Sequence, residues 1–350
     1  MASKVVGLDI GTSGVRAAEL SLGRGAATLE RFGQVALPAG AVHDGEVVDA
    51  AAVGAALRQL WAQAKFSSKK VVLGVANQKV VVRQVDVPWL PEDELRKSLA
   101  FQVADFLPMA ADEAILDFHA LEEFTNDNGG RMLRILLVAA ARDMVGNALA
   151  AVKAAGLDVQ MVDLTSFAVL RSTVGEGAVA SPSSEALVDI GASVTNIVVH
   201  QGGVPRFVRI LMLGGADITS AVAERLGVPQ DQAEAVKQQT GLAQAPSTEA
   251  HPAQRAIEAS GSAFVDEVRG SLDYFMAQPG AGRIDRIVIS GGGSLLAGLA
   301  ERLQAATRLP VHTARPMSQL KIGKTGLTPE QLAYVEPMVT VPVGLAMGVS

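Results

Sequence analysis

The chain has 350 residues, of which 49% are hydrophobic and 19% charged, enough apolar material for two packed domains of ordinary size. A formal net charge of −6 argues against non-specific nucleic-acid binding, which needs a basic footprint, and the absence of cysteine excludes disulfides and thiol chemistry. The histidines (His43, His119, His200, His251, His312) are scattered without ligand spacing, so no transition-metal site is expected.

The opening stretch, VVGLDIGTSGVRAAEL (5–20), reads as a strand that runs into Asp9, Gly11, Thr12 and Ser13 and then resumes as a second strand. A carboxylate at a buried strand end needs a partner, because an unpaired buried charge costs several kcal/mol, on the order of 3–5. Strands are predicted over 5–10, 15–20 and 29–37, and a helix over 49–65, where Val53, Leu57 and Leu60 recur at helical spacing. The segment 69–88 reads as a hairpin. A helix over 91–107 follows, with Pro91 at its start, three acids in its first turn, and Leu95, Leu99, Val103 and Phe106 on one face. Two strands flank the turn TNDNGG, and a helix is predicted near 142–155. No apolar run reaches the roughly 18 residues of a membrane span, and no secretory segment opens the chain, so a soluble protein is expected.

After a loop expected at 177–185, the opening pattern restarts. Asp189, Ile190, Gly191 and Ser193 repeat Asp9, Ile10, Gly11 and Ser13 at an offset of 180, again between two strands, with a third strand after the turn QGG. The chain therefore reads as two related α/β halves. Gly214 and Gly215 precede a helix capped by Asp217. The rest is expected to be mostly helical to about 280, broken by a mobile polar loop at 242–254. A buried strand, the glycines Gly291–Gly293 and a helix close this half.

Two Asp-Gly turns that face each other across a cleft suit phosphate: glycines admit the backbone, and hydroxyls and turn amides supply donors. The aspartates Asp9 and Asp189 can hold Mg²⁺ through its waters. Arg16 can add a phosphate contact, though a solvated strand residue is as good a reading of it alone. Each glycine motif by itself also reads as an ordinary tight turn.

Together these motifs, with AEAVK (233–237), resemble the actin-like ATPase superfamily. The chain as a whole most resembles its PilM family of type IV pilus assembly proteins, to which the cell-division protein FtsA is related. The stretch from Pro91 to Phe118 corresponds to the subdomain those families insert. The resemblance implies an α/β, actin-like (ribonuclease H-like) two-domain fold, with duplicated βββαβ-type halves around a nucleotide cleft. It divides the chain into a first half (1–88), an inserted partner-binding subdomain (89–158), a second half (159–338) and a C-terminal helix (339–350) that returns to the first half. It implies ATP and Mg²⁺ as ligands. The first phosphate loop would be Asp9, Gly11, Thr12, Ser13 and Arg16, with Arg16 in place of the usual lysine, and the second Asp189, Gly191, Ser193 and Thr195. Gly214 and Gly215, at a helix start, would also bind the cofactor, Glu234 and Lys237 would hold the nucleoside, and Gly291, Gly292, Gly293 and Ser294 the adenosine.

Thr165 and Ser166 stand where related ATPases present a Glu or Gln to orient water, so hydrolysis is expected to be slow at most. The resemblance implies a cytoplasmic protein recruited to the inner face of the membrane by the N-terminal peptide of a PilN-like membrane protein, received near Leu95, Leu99, Gln102, Val103 and Phe106. The same apolar face also reads as simple core. Other pilus motor components and self-association are further partners the resemblance allows. Two alternatives stay open. An FtsA-like filament protein usually ends in a basic amphipathic helix, and VPVGLAMGVS is not one. A small-molecule kinase on this fold needs a carboxylate base, for which Asp163 and Asp189 are the available residues.

Overall fold

The computed structural model describes residues 3–23, 25–174, 183–242, 251–278 and 280–349. Most of the expected loops at 177–185 and 242–254 lies outside the described residues. The first half opens with β1 (Ser3–Ile10), β2 (Gly14–Leu22) and β3 (Thr28–Ala36) as an antiparallel meander. A small hairpin, β4 (Val42–His43) and β5 (Glu46–Val47), leads to α1 (Ala50–Ala64). Asp49 caps α1 by accepting bonds from the amides of Ala51 and Ala52, and Lys65 ends it in the left-handed region. Then come β6 (Lys70–Val75), β7 (Val80–Pro88), α2 (Glu92–Gln102), β8 (Ala114–Thr125), β9 (Arg131–Ala141), α3 (Arg142–Ala154), β10 (Asp158–Leu164) and α4 (Thr165–Thr173).

The second half repeats the plan: β11 (Ser184–Ile190), β12 (Thr195–Gln201), β13 (Val204–Leu211), α5 (Gly215–Leu226), α6 (Gln230–Thr240), α7 (Pro252–Met276), β14 (Arg286–Ser290), α8 (Leu299–Thr307) and β15 (Val311–Thr313). β16 (Lys321–Ile322), α9 (Pro329–Val335) and α10 (Thr340–Met347) complete the chain.

The two large sheets have strand orders β10-β6-β1-β2-β3-β16 and β13-β12-β11-β14-β15. Read from the meander outward, both contain the same steps. Three strands run antiparallel, a fourth lies parallel to the first, and a fifth lies parallel to the fourth. The duplication expected from the repeated Asp-Ile-Gly is thus a duplication of topology. α4 and α10 lie between the sheets, where Ala168, Val169, Val341 and Leu345 pack with Val72 of the first sheet and with Leu187, Val198 and Val288 of the second. No helix among the described residues is long and apolar enough to cross a membrane.

Three sequence expectations need correction. The segment 69–88 is not a hairpin: both edges of β6 are taken by β1 and β10, so β7 leaves for a separate three-stranded sheet, β7-β9-β8. The α-helix from 91 stops at Gln102 and tightens to a 3-10 turn over Ala104–Phe106. The strand partners also move the expected boundaries at 88, 158 and 338. β7 belongs to the inserted sheet, whereas α3 packs on α1 and β10 joins the first sheet. At the far end, Met317, Val335 and Met338 already pack on Ala18, Leu20 and Phe32 of the first half, ahead of α10.

Candidate functional site

The same tight turn closes both loops. The Gly11 amide donates to the Gly14 carbonyl at 3.0 Å, and the Gly191 amide to that of Val194 at 2.9 Å. Antiparallel register sets Asp9 opposite Arg16, and in the second copy Asp189 opposite Asn196. The two loops form facing walls of one cleft. It brings together Asp9, Gly11, Thr12, Ser13 and Arg16 from the first half with Asp189, Gly191, Gly291 and Gly292 from the second. Gly74 and Thr165 line it as well, and Met338 and Val341 do so from the returning chain.

The cleft holds a buried carboxylate, Asp189, and a half-buried one, Asp9. Burial raises the Asp9 carboxyl above its ordinary range, against the pull of the Arg16 guanidinium, whose Nη1 lies 3.7 Å from Asp9 Oδ2. Burial pushes Asp189 up to about 6; the Ser290 hydroxyl, donating to Oδ1 at 2.7 Å, holds it down, and the charge of Asp9 adds to the rise. Asp189 is only 6% exposed. Arg16 Nε is buried and has no hydrogen-bond partner among the described residues, and a Cβ on Gly292 would lie 3.8 Å from Arg16 Nη2. An electropositive group with an unspent donor therefore sits between two glycine turns.

A second layer supports this wall without lining the cleft. The Gly215 and Ala216 amides donate to the carbonyls of Gly191 and Ala192 at 3.0 and 2.7 Å, docking the start of α5 on the second loop. Gly214 receives the Asp217 carboxylate on its amide. Lys237, nearly buried, donates to the Gly215 carbonyl and to Thr219 Oγ1, each at 2.9 Å, and pairs with Glu234 at 2.7 Å. Thr195 is fully buried and donates its hydroxyl to the Leu213 carbonyl, so that group is spent on the fold. Ser193 is off the cleft wall. Gly291 has φ +80°, and a Cβ on Gly291 or Gly293 would meet Ile190 at 2.4 Å, so these glycines let the turn lie flat on β11. Ser294 donates to the Gly291 carbonyl.

Sequence reasoning missed Asn196 and Ser290. The offset of 180 makes Asn196 the counterpart of Arg16 and could have found it, whereas the pairing of Ser290 with Asp189 depends on the parallel register of β11 and β14.

In the inserted subdomain, Leu95, Leu99 and Val103 are not at the surface. They pack with Val85, Val87, Leu133, Ile135 and Leu137 on one face of the three-stranded sheet. Leu99 and Val103 are taken up by this core, Gln102 is half-buried and Phe106 is 39% exposed. The large apolar group left bare is Phe101, at 86%. A recess between α2 and β8 has Trp89, Leu95 and Phe118 in its walls. Arg131 stacks on that Trp89, 3.6 Å from the ring centroid, and is tied to Glu123 at 2.5 Å.

The chain matches the model of a family described as type IV pilus assembly protein PilM over residues 7–349. Among solved structures it superposes on a chain of a PilM-PilN type IV pilus biogenesis complex with a TM-score of 0.88 and 27% identity, covering 99% of both chains. It is 25% identical over 338 residues to the cell division protein FtsA of Streptococcus pneumoniae serotype 2 (strain D39 / NCTC 7466), covering 85% of this chain and 72% of that protein. The match to FtsA of Escherichia coli (strain K12) is local, 31% over 117 residues, or 33% of this chain and 27% of that one. MreB5 of Spiroplasma citri bound to AMPPNP shares the fold, with a TM-score of 0.53 at 15% identity over 90% of this chain and 92% of that one. The fold is actin-like, and the chain belongs to the PilM family.

Proposed function

We propose that this PilM-family chain is a nucleotide-binding scaffold of type IV pilus assembly. In this reading ATP with Mg²⁺ occupies the cleft, and the inserted subdomain docks the cytoplasmic N-terminal peptide of a PilN-like membrane protein at the inner face of the cytoplasmic membrane. The observation that carries the nucleotide part is the convergence of the two Asp-Ile-Gly loops on Arg16, whose buried Nε lacks a partner among the described residues. The Arg16 guanidinium on the cleft wall supplies a cation to a polyphosphate, and turn amides supply donors to it. The residues present fit the group: Arg16 and the hydroxyls of Thr12 and Ser13 would hold phosphates, and Gly291 and Gly292 would admit the nucleoside. Bound Mg²⁺ would screen phosphate charge. Among the described residues no group of three or more acidic or histidine ligands is assembled, in keeping with an ion that keeps its water and takes phosphate oxygens. Thr165 on the cleft wall is a poor base, so the chain is expected to hold ATP rather than turn it over rapidly.

The partner part is supported by near-complete superposition on a chain of a PilM-PilN type IV pilus biogenesis complex. Phe101, so exposed on α2, is the anchor we assign to the peptide, with Phe106 beside it in sequence. The test is calorimetric titration of the purified protein with Mg·ATP and with a synthetic peptide copying the cytoplasmic N-terminus of the PilN-like protein encoded with it. Saturable binding of both, with the peptide weakened about thirtyfold by Phe101→Ala, is the expected result. Protein that is folded and binds ATP but not the peptide would sink the docking reading and turn attention to filament assembly, measured by pelleting.

A further inference from the structure

The formal net charge of −6 is not spread over the molecule. Between Val80 and Ala141, the stretch that builds β7, α2, β8 and β9, stand 11 acidic and five basic residues, so this subdomain carries the whole imbalance and the remainder of the chain sums to zero. Its arginines show how it receives a cation. Arg131 lies over the Trp89 ring, Arg96 over Phe118 at 5.0 Å and Arg134 over Phe124 at 4.9 Å. Each guanidinium also meets carboxylates: Glu123 for Arg131, Glu92 and Asp117 for Arg96, Asp86 and Glu122 for Arg134. An aromatic face with a carboxylate beside it is therefore the arrangement this sheet uses repeatedly for positive charge. The recess between α2 and β8 offers the same two features around open space of about 410 Å³. Its apolar walls are Trp89, Leu95, Phe118 and Leu133, and Glu92 and Glu123 stand at its mouth with side chains 69% and 50% exposed. Six further acids of the subdomain, Asp93, Glu94, Asp105, Asp112, Glu113 and Asp127, make no ion pair among the described residues.

Resting on the docking reading above, we infer that this recess receives the basic, partly apolar stretch that the membrane partner carries on the cytoplasmic side of its span. An apolar side chain of that stretch enters between Trp89 and Phe118, and a lysine or arginine next to it meets Glu92 and Glu123. Segments that flank a membrane span in the cytoplasm are enriched in lysine and arginine, the charge this subdomain lacks. The anionic surface of the membrane has the same sign as the subdomain, so complementarity selects a protein segment and not the lipid. The surplus of acids steers the approach, acting over a screening length of about 8 Å at physiological salt, and the recess fixes the register. Glu92 and Glu123 are then the residues that select for positive charge, whereas Phe101, further along α2, is an apolar contact that does not.

The experiment is fluorescence anisotropy with two labelled synthetic peptides, titrated with the full chain at about 50 mM and about 500 mM NaCl. One peptide runs from the N-terminus of the PilN-like protein to its span, and the other is a copy with every lysine and arginine replaced by glutamine. The native peptide should bind about tenfold more weakly at the higher salt, and the glutamine copy about tenfold more weakly than the native one at the lower salt. Glu92→Gln combined with Glu123→Gln should cost about tenfold toward the native peptide and nothing toward the glutamine copy. Asp112→Asn combined with Glu113→Gln removes the same charge outside the recess and should cost less than about twofold. All four side chains are exposed, so both double variants should fold. Equal losses in the two double variants would mean diffuse charge without a built recess and would overturn the inference, as would full binding of the glutamine copy. A wild type that binds neither peptide at either salt would fail the docking reading itself, and this inference with it.

Discussion

Asp189 carries a pH dependence that can be read without any ligand. Burial raises its carboxyl from the ordinary 3.8 to about 6, so the folded protein holds this proton more tightly than the unfolded chain does. Where the native state binds more protons, stability falls as pH rises, and here the fall spans the interval between those two values and persists above it. Asp189→Asn keeps an acceptor for Ser290 and removes the charge. The variant is therefore expected to lose this slope and to be more stable than the wild type at neutral pH by up to about 3 kcal/mol, checked by urea unfolding across the range. At this scale much of the site was legible. A repeated Asp-Ile-Gly pair names two carboxylates and two glycines, and the spacing names Arg16. What was not legible is what each aspartate leans on, because Ser290 lies 101 residues away in sequence and meets Asp189 only when β11 and β14 align.

Among the elements, α2 shows where pattern stops being informative. Its apolar face was evident from the spacing of Leu95, Leu99 and Val103, but periodicity identifies an apolar face without identifying its cover. The cover is the subdomain's own sheet, through Ile135 and Leu137. Leu99→Ala should therefore destabilise the protein by about 2–5 kcal/mol, seen as an earlier unfolding transition, whereas Phe101→Ser on the opposite, bare side should change stability by less than about 0.5 kcal/mol. If Phe101→Ser unfolds the subdomain instead, that phenylalanine is core and not surface. The failure at 69–88 has a related cause. Two apolar strands separated by a short polar turn satisfy the hairpin pattern, yet β6 is buried along all but its first residue and already flanked on both edges. A strand with no free edge cannot accept its neighbour in sequence.

In the whole molecule the inserted subdomain is wedged against the second half as well as joined to the first. Its sheet turns one face to α2, while from the other Leu136 joins the core between the halves and Gln84 donates to the Arg206 carbonyl at 2.6 Å. Under the proposed function, these contacts would give cleft occupancy a route to the docking surface through the angle between the halves. α4 and α10 lie between the two sheets, and these elements approach their neighbours closer than side chains allow. A Cβ on Gly344 would stand 1.8 Å from the Ala168 carbonyl oxygen, and one on Gly7 would stand 1.9 Å from that of Pro342. Both obstacles are backbone, so neither can swing aside as a flexible side chain would. Gly344→Ala must therefore separate α10 from α4 and open the core between the sheets, at a cost of more than about 4 kcal/mol. Gly146→Ala, inside α3 where a Cβ meets nothing within 4 Å, is the matched control and should stabilise by up to about 1 kcal/mol. Chemical denaturation of the two variants side by side measures this. If Gly344→Ala melts with the wild type, the helices have slack between them, and the halves can move without the inserted sheet moving with them.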